Sequence, residues 1–211
     1  YIPDNQSPTV NSKENIDAWA IHAEAGYTFK NLPWTPRIGY AYSFASGDDN
    51  FDVGSQKTYK QVSPTQHAHN GYMDVTSWQN IIDHQLHFNV KPTKKLVVDV
   101  KAHFFELDKQ SDNWYNVGGG VARAGADFYQ VVDNDGDAGV DTVDDELGQE
   151  IDVTLKYKMF ENFGVVAGYS HFFAGDFIED TGGGMDRGVD WFYLQTTVKF
   201  QIGRASCRER V

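Results

Sequence analysis

The sequence predicts an all-β fold: a transmembrane antiparallel up-and-down β-barrel, incomplete, with about seven carboxy-terminal strands in view. Three observations predict it. Apolar and polar side chains alternate with period two in one segment after another, as a strand with oil on one face and water on the other requires. The connections run short, long, short, long, short, long, the pattern of barrels whose turns on one side of the membrane are tight. No stretch is apolar enough to cross as a helix, the mean hydropathy being -0.52, so membrane residence falls to strands alone.

After a polar opening, the first strand is expected from about Ile16 to Lys30. It carries Trp19, Ile21, Ala23, Ala25, Tyr27 and Phe29 on one face and His22 and Glu24 on the other. NLPWTP turns the chain into a second strand, Arg37 to about Ser46, with Ile38, Tyr40, Tyr42 and Phe44 outward and Gly39, Ala41 and Ser43 inward. A long Asp-, Gly- and Ser-rich connection to about Ser77 follows. The third strand, about Trp78 to Lys91, sets Ile82, Leu86, Phe88 and Val90 against Asp83, Gln85, His87 and Asn89, with His84 a misfit on the apolar file.

A tight Pro92-Thr93-Lys94 turn leads to the fourth strand, Lys95 to about Leu107, where Leu96, Val98, Val100, Ala102 and Phe104 oppose Asp99, Lys101 and His103. After a long acidic loop the fifth strand, Gly148 to Met159, sets Ile151, Val153, Leu155 and Tyr157 against Glu150, Asp152, Thr154, Lys156 and Lys158. FENF is the next short turn, and the sixth strand runs from about Gly164 to Ala174. The Gly-rich loop GDFIEDTGGGMDRG ends at the last strand, VDWFYLQTTVKF, whose Phe192, Leu194, Thr196, Val198 and Phe200 form the lipid-facing file. Seven strands cannot close a barrel of even strand number, so further strands are expected ahead of Tyr1.

The 211 residues carry 30 acidic and 18 basic side chains, a net charge of -12 that speaks against a nucleic-acid partner, which would need a basic surface. The 14 Phe, 11 Tyr and 5 Trp suit interfacial girdles. Residues 1–200 read as one domain. Residues 201–211, QIGRASCRERV, break the pattern, hold the single cysteine, Cys207, and resemble a translated sequencing-adapter tail, so they are expected to be non-native. Without them no thiol chemistry is in play.

At this point a family resemblance emerges. Residues 71–120, from GYMDVTSWQN through KPTKKL to VGGG, and residues 147–182, with EIDVTLKYK and AGYSHFFAGDFI, resemble the alginate export family of outer-membrane barrels. The resemblance implies a monomeric barrel in the bacterial outer membrane, with more strands than are seen here. It also implies passive passage of an anionic, alginate-like polysaccharide or a related hydrophilic solute.

Lumen side chains set the charge and hydrogen bonding of a pore. The inward candidates for lining it and binding solute are Arg37, Asp83, His87, Asp99, Lys101, His103, Glu150, Asp152, Lys156 and Lys158. Passage of a polyuronate calls on cations, here Arg37, Lys101, Lys156 and Lys158. The competing expectation is that these cations pair with Asp99, Glu150 and Asp152 across neighbouring strands and merely satisfy a polar interior. Asp133, Asp135, Asp137, Asp141 and Asp144 fall in the register of a calcium loop, but Ala138 replaces its turn glycine and Asp144 its bidentate glutamate, so a weak calcium site in an external loop is the most they suggest. No other cofactor is expected.

His87 and His103 with Asp83 or Asp99 offer an acid-base pair, but no nucleophile motif adjoins them, so no enzyme is expected. The alternatives are a porin for small nutrients and, from another class, a soluble carbohydrate-binding β-sandwich.

Overall fold

The computed structural model describes residues 15–49, 55–63, 67, 69–126, 143–182 and 188–200. In chain order its elements are β1 (Asn15–Ile16), β2 (Ala20–Thr28), β3 (Arg37–Ala45), β4 (Ser55–Gln56), β5 (Ile81–Val90), β6 (Leu96–Glu106), β7 (Trp114–Tyr115), β8 (Val121–Arg123), β9 (Glu146–Phe160), β10 (Phe163–Ala174), α1 (Asp176–Gly182) and β11 (Val189–Val198). The seven longer strands form one sheet in the order β11-β10-β9-β6-β5-β3-β2, every neighbouring pair antiparallel. The sheet is open, with β2 and β11 as its edges. Each of its strands answers to one expected from the alternation.

The differences lie at strand ends and have local causes. The stretch expected to start the first strand peels away, because Asn15 and Ile16 pair in parallel with Ser55 and Gln56. The third strand starts at Ile81 rather than Trp78: Asn80 takes a positive φ of 48° and sends its amide to the carbonyls of Lys109 and Asn113. The helix α1 stands where a plain loop was expected. Phe177 and Ile178, buried on its inner side, hold this short helix in place.

The two faces of the sheet are reversed from those of a protein in water. Cross-strand ladders keep the files in phase: Ser43 opposes Asp83, Gln85 opposes His103 and His103 opposes Glu150 on one face, while Ile38 opposes Phe88 and Val98 opposes Leu155 on the other. On the polar face Ser43, Asp83, Gln85, His103, Glu150, Asp152 and Ser170 are buried. On the apolar face Phe192 is 74% exposed, Leu194 72% and Leu155 44%. The misfit His84 is accommodated there, its Nδ1 lying 2.6 Å from the Tyr40 hydroxyl on the next strand.

The apolar core lies at the long-loop end of the sheet. Ala45, Ile81, Phe105, Leu107, Leu147 and Phe172 at the strand ends meet Val143, Phe177 and Ile178, with Tyr59, Met73, Trp78 and Trp114 packed against them. Asp112 ties this cap together by accepting hydrogen bonds from Asp48 N, Thr58 Oγ1, Asn113 N and the Tyr115 hydroxyl at 2.6–2.9 Å. Burial, the largest influence, raises the pKa of its carboxyl above the ordinary value despite these donors.

Candidate functional site

The site is the polar face itself, and a strand of period two is why its residues converge: every second side chain of β2, β3, β5, β6 and β9 points to the same side. All ten residues expected to line a lumen lie on this face. The structure divides them into a covered half toward the long loops and an open half toward the short turns.

Residues 69–80 cover the first half as a strap, a part the sequence did not point to. His69 lies by β2 and β5: its carbonyl accepts from Gln85 Nε2 at 2.7 Å, and its ring stands 4.5 Å from that of His22. Further along, Tyr72 N donates to Asp152 Oδ2 at 3.3 Å and Met73 N to Glu150 Oε1 at 2.9 Å, both on β9. The Tyr72 ring stacks on Tyr193 of β11, centroids 5.1 Å apart and planes 11° from parallel. Gly71 makes the approach possible, because it holds a positive φ of 83° and a Cβ there would sit 2.5 Å from a Glu150 oxygen. Beneath the strap His103 Nδ1 lies 3.0 Å from Asp83 Oδ2, Asp83 also accepts from Gln85 at 2.6 Å, and Ser170 donates to Asp152.

The open half is basic. A cleft of about 400 Å³ is lined by Glu24, Arg37, His87, Asn89, Lys91, Asp99 and Lys101. Beside it a second, of about 370 Å³, is lined by Lys94, Lys95, Lys156 and Lys158 together with Val97, Thr197 and neighbours. Two of the expected cations are engaged: Arg37 pairs with Glu24 at 2.9 Å, and Lys156 with Asp99 at 3.4 Å. Cross-strand pairing therefore holds for these two, though with Glu24 in place of Glu150 or Asp152, which hold the strap. Both pairs are open to solvent on at least one side and weakly coupled. Lys91, Lys94 and Lys95 were missed by reading the strand files alone, because they sit at and in the β5–β6 turn. The sequence signal was there in KPTKKL: a turn at the end of the polar face carries its charge over that face.

Asp133, Asp135, Asp137 and Asp141 lie outside the described residues. Asp144 is described: its backbone N–H donates to Asp180 and its carboxylate accepts from Glu146 N. Among the described residues no group of three His, Cys, Asp or Glu side chains is placed to hold a metal ion. The His103–Asp83 pair forms, whereas His87 contacts Gln85 at 3.1 Å instead.

No curated protein matches the chain. Over residues 6–188 it matches the family described as alginate export, a span that takes in β2 through α1, the strap and the cleft between Arg37 and Lys101. The chain belongs to the alginate export family, a family of transport proteins, and its role at that level is alginate export.

Proposed function

We propose that this chain forms part of an outer-membrane β-barrel whose water-filled lumen passes an anionic, alginate-like polysaccharide or a related hydrophilic solute by diffusion. The reversed burial of the sheet carries this reading: Asp83, His103, Glu150 and Asp152 are covered, while Phe192, Leu194 and Leu155 stand bare. In water such an apolar surface invites aggregation, and in hydrocarbon it is the stable surface. The apolar belt continues at the short-turn end through Tyr27, Trp34, Phe160 and Phe200, as aromatic girdles do at a membrane interface.

The basic half of the polar face suits a polyuronate. Lys91, Lys94, Lys95, Lys101 and Lys158 surround clefts in which carboxylates of a polymer can exchange from one ammonium to the next. The Lys ammonium is a compact, mobile donor that binds without locking. No step of bond making is involved, and sugar hydroxyls find Asn89, His87 and Thr197 along the same walls. Outer-membrane lipid and the solute are the partners in this reading, and the whole barrel acts as a monomer.

The test is planar-bilayer conductance of the purified protein with uronate oligomers as blockers. Lys101→Ala with Lys158→Ala is expected to weaken block by about tenfold, about 1.4 kcal/mol. Recovery of the folded protein from the aqueous phase without detergent refutes membrane residence. A nutrient porin is the second reading, favoured by the neutralisation of Arg37 by Glu24 and of Lys156 by Asp99. Block by small sugars but not by uronate oligomers would establish it.

A further inference from the structure

We propose that residues 69–80 are the constriction of this lumen and that acid releases them from its wall. The inference rests on the pore reading above and adds the place and the control of the narrowest point. The strap crosses the polar face near mid-strand, since Gln85, Asp152 and Tyr193 all lie well inside their strands. Anything moving along that face must pass it. On one side of the crossing lie the lysine-lined clefts, and on the other the acid-bearing cap of Asp48, Asp108 and Asp112.

Two latches of different chemistry hold the strap. The first joins His69 to His22, whose Nδ1 lies 2.8 Å from Ser43 Oγ, with the Gln85 bond beside it. Two imidazoles at 4.5 Å tolerate one another when neutral and repel when both are charged. The second latch sets the backbone N–H groups of Tyr72 and Met73 on the carboxyl groups of Asp152 and Glu150. Asp74 of the strap also lies 3.1 Å from His67, just ahead of it in the chain. Acid acts on the first latch.

The charges around His69 come from three strands. His22 and Glu24 face it from β2, Asp83 from β5 and Lys101 from β6. Burial is the largest influence, followed by His22 and Lys101, and together they hold its pKa below the ordinary 6.5 against the pull of Glu24 and Asp83. Around the second latch stand His103, opposite Glu150, and Lys101, opposite Asp152. A docked strap thus prefers neutral His69. The contribution of this group is fully present above pH 6.5 and is lost as pH falls through its lowered value. One linked proton changes the ratio of open to docked strap by at most tenfold per pH unit.

The experiment follows the full-length protein in planar bilayers between about pH 8 and about pH 5, with hydrogen exchange at the amides of Tyr72 and Met73 measured in parallel. Between these limits the open-to-docked ratio is expected to rise by about tenfold, seen as larger or longer conducting states and as faster exchange once the intrinsic pH dependence is divided out. In His69→Gln and in His22→Gln the acid response should flatten in both measurements. Channels whose conductance does not change with pH, or a full acid response in both variants, would overturn the acid-released constriction. A protein that inserts but conducts at no pH would sink the pore reading instead, and its exchange profile would still decide whether the strap lets go in acid.

Discussion

Replacing Gly71 by alanine is the sharpest perturbation of the strap. The residue adopts a φ of 83°, where a Cβ is strained by about 1–3 kcal/mol. The added carbon would also lie 2.5–2.8 Å from both oxygens and Cδ of Glu150, so the carboxylate must move and its bond from Met73 N must lengthen or break. A hydrogen bond of this kind contributes about 0.5–1.5 kcal/mol. The two effects share one displacement and do not add fully, so we expect the strap to lose about 2–4 kcal/mol of docking free energy. That is about 30- to 1,000-fold in its opening constant. Hydrogen exchange in the native protein reads this ratio directly at the amides of Tyr72 and Met73, while the amides of β5 and β6 should be unaffected. Gly164→Ala is the control, since a Cβ there meets only the Tyr157 carbonyl at 3.9 Å. Unchanged protection at Met73 in Gly71→Ala would refute the docking geometry and, with it, the account of the covered half.

Two further outcomes test the faces of the sheet. Leu155→Arg, placed centrally between Val98 and Ala167 on the apolar face, should cost about 2–4 kcal/mol in denaturant unfolding from lipid vesicles; a change below about 0.5 kcal/mol would mean that this face meets water. Gly168→Ala should displace the Tyr193 ring, because its Cβ would lie 2.0 Å from the ring carbon bearing the hydroxyl. Loss of the 2.9 Å contact between Thr154 Oγ1 and the Tyr193 hydroxyl and of the stack with Tyr72 should cost about 1–3 kcal/mol and diminish the near-ultraviolet tyrosine dichroism. A variant with the parent's dichroism and stability would show that the ring does not sit on Gly168.

Much of the architecture was legible in the residues. Period-two alternation is a local property, so Ile38, Tyr40 and Tyr42 against Gly39, Ala41 and Ser43 declared both a strand and its two environments before any partner was known. The KPTKKL and FENF turns were legible for the same reason: a tight hairpin is encoded within a few residues. The ends of strands were less so. Asn80 leaves the sheet to bind Lys109 and Asn113, and Asn15 and Ile16 leave it to pair with Ser55 and Gln56, choices made by residues far along the chain. Helix α1 was hidden because seven residues have little helical preference of their own, and the burial of Phe177 and Ile178 in the cap supplies what the segment lacks.

The candidate site divides along the same line. By itself the sequence determined which side chains share the polar face, since the pleat places every second residue there and a slip by one would turn the whole apolar file inward. Only the tertiary structure decided what each of them does. It paired Arg37 with Glu24, brought Lys94 and Lys95 beside Lys156 and Lys158, and laid Tyr72 and Met73 over Asp152 and Glu150 from nearly eighty residues away. Alternation specifies a direction for each side chain, whereas a contact between distant segments depends on the loop that carries one to the other. In this protein the 69–80 strap turns a row of polar residues into a covered half and an open one.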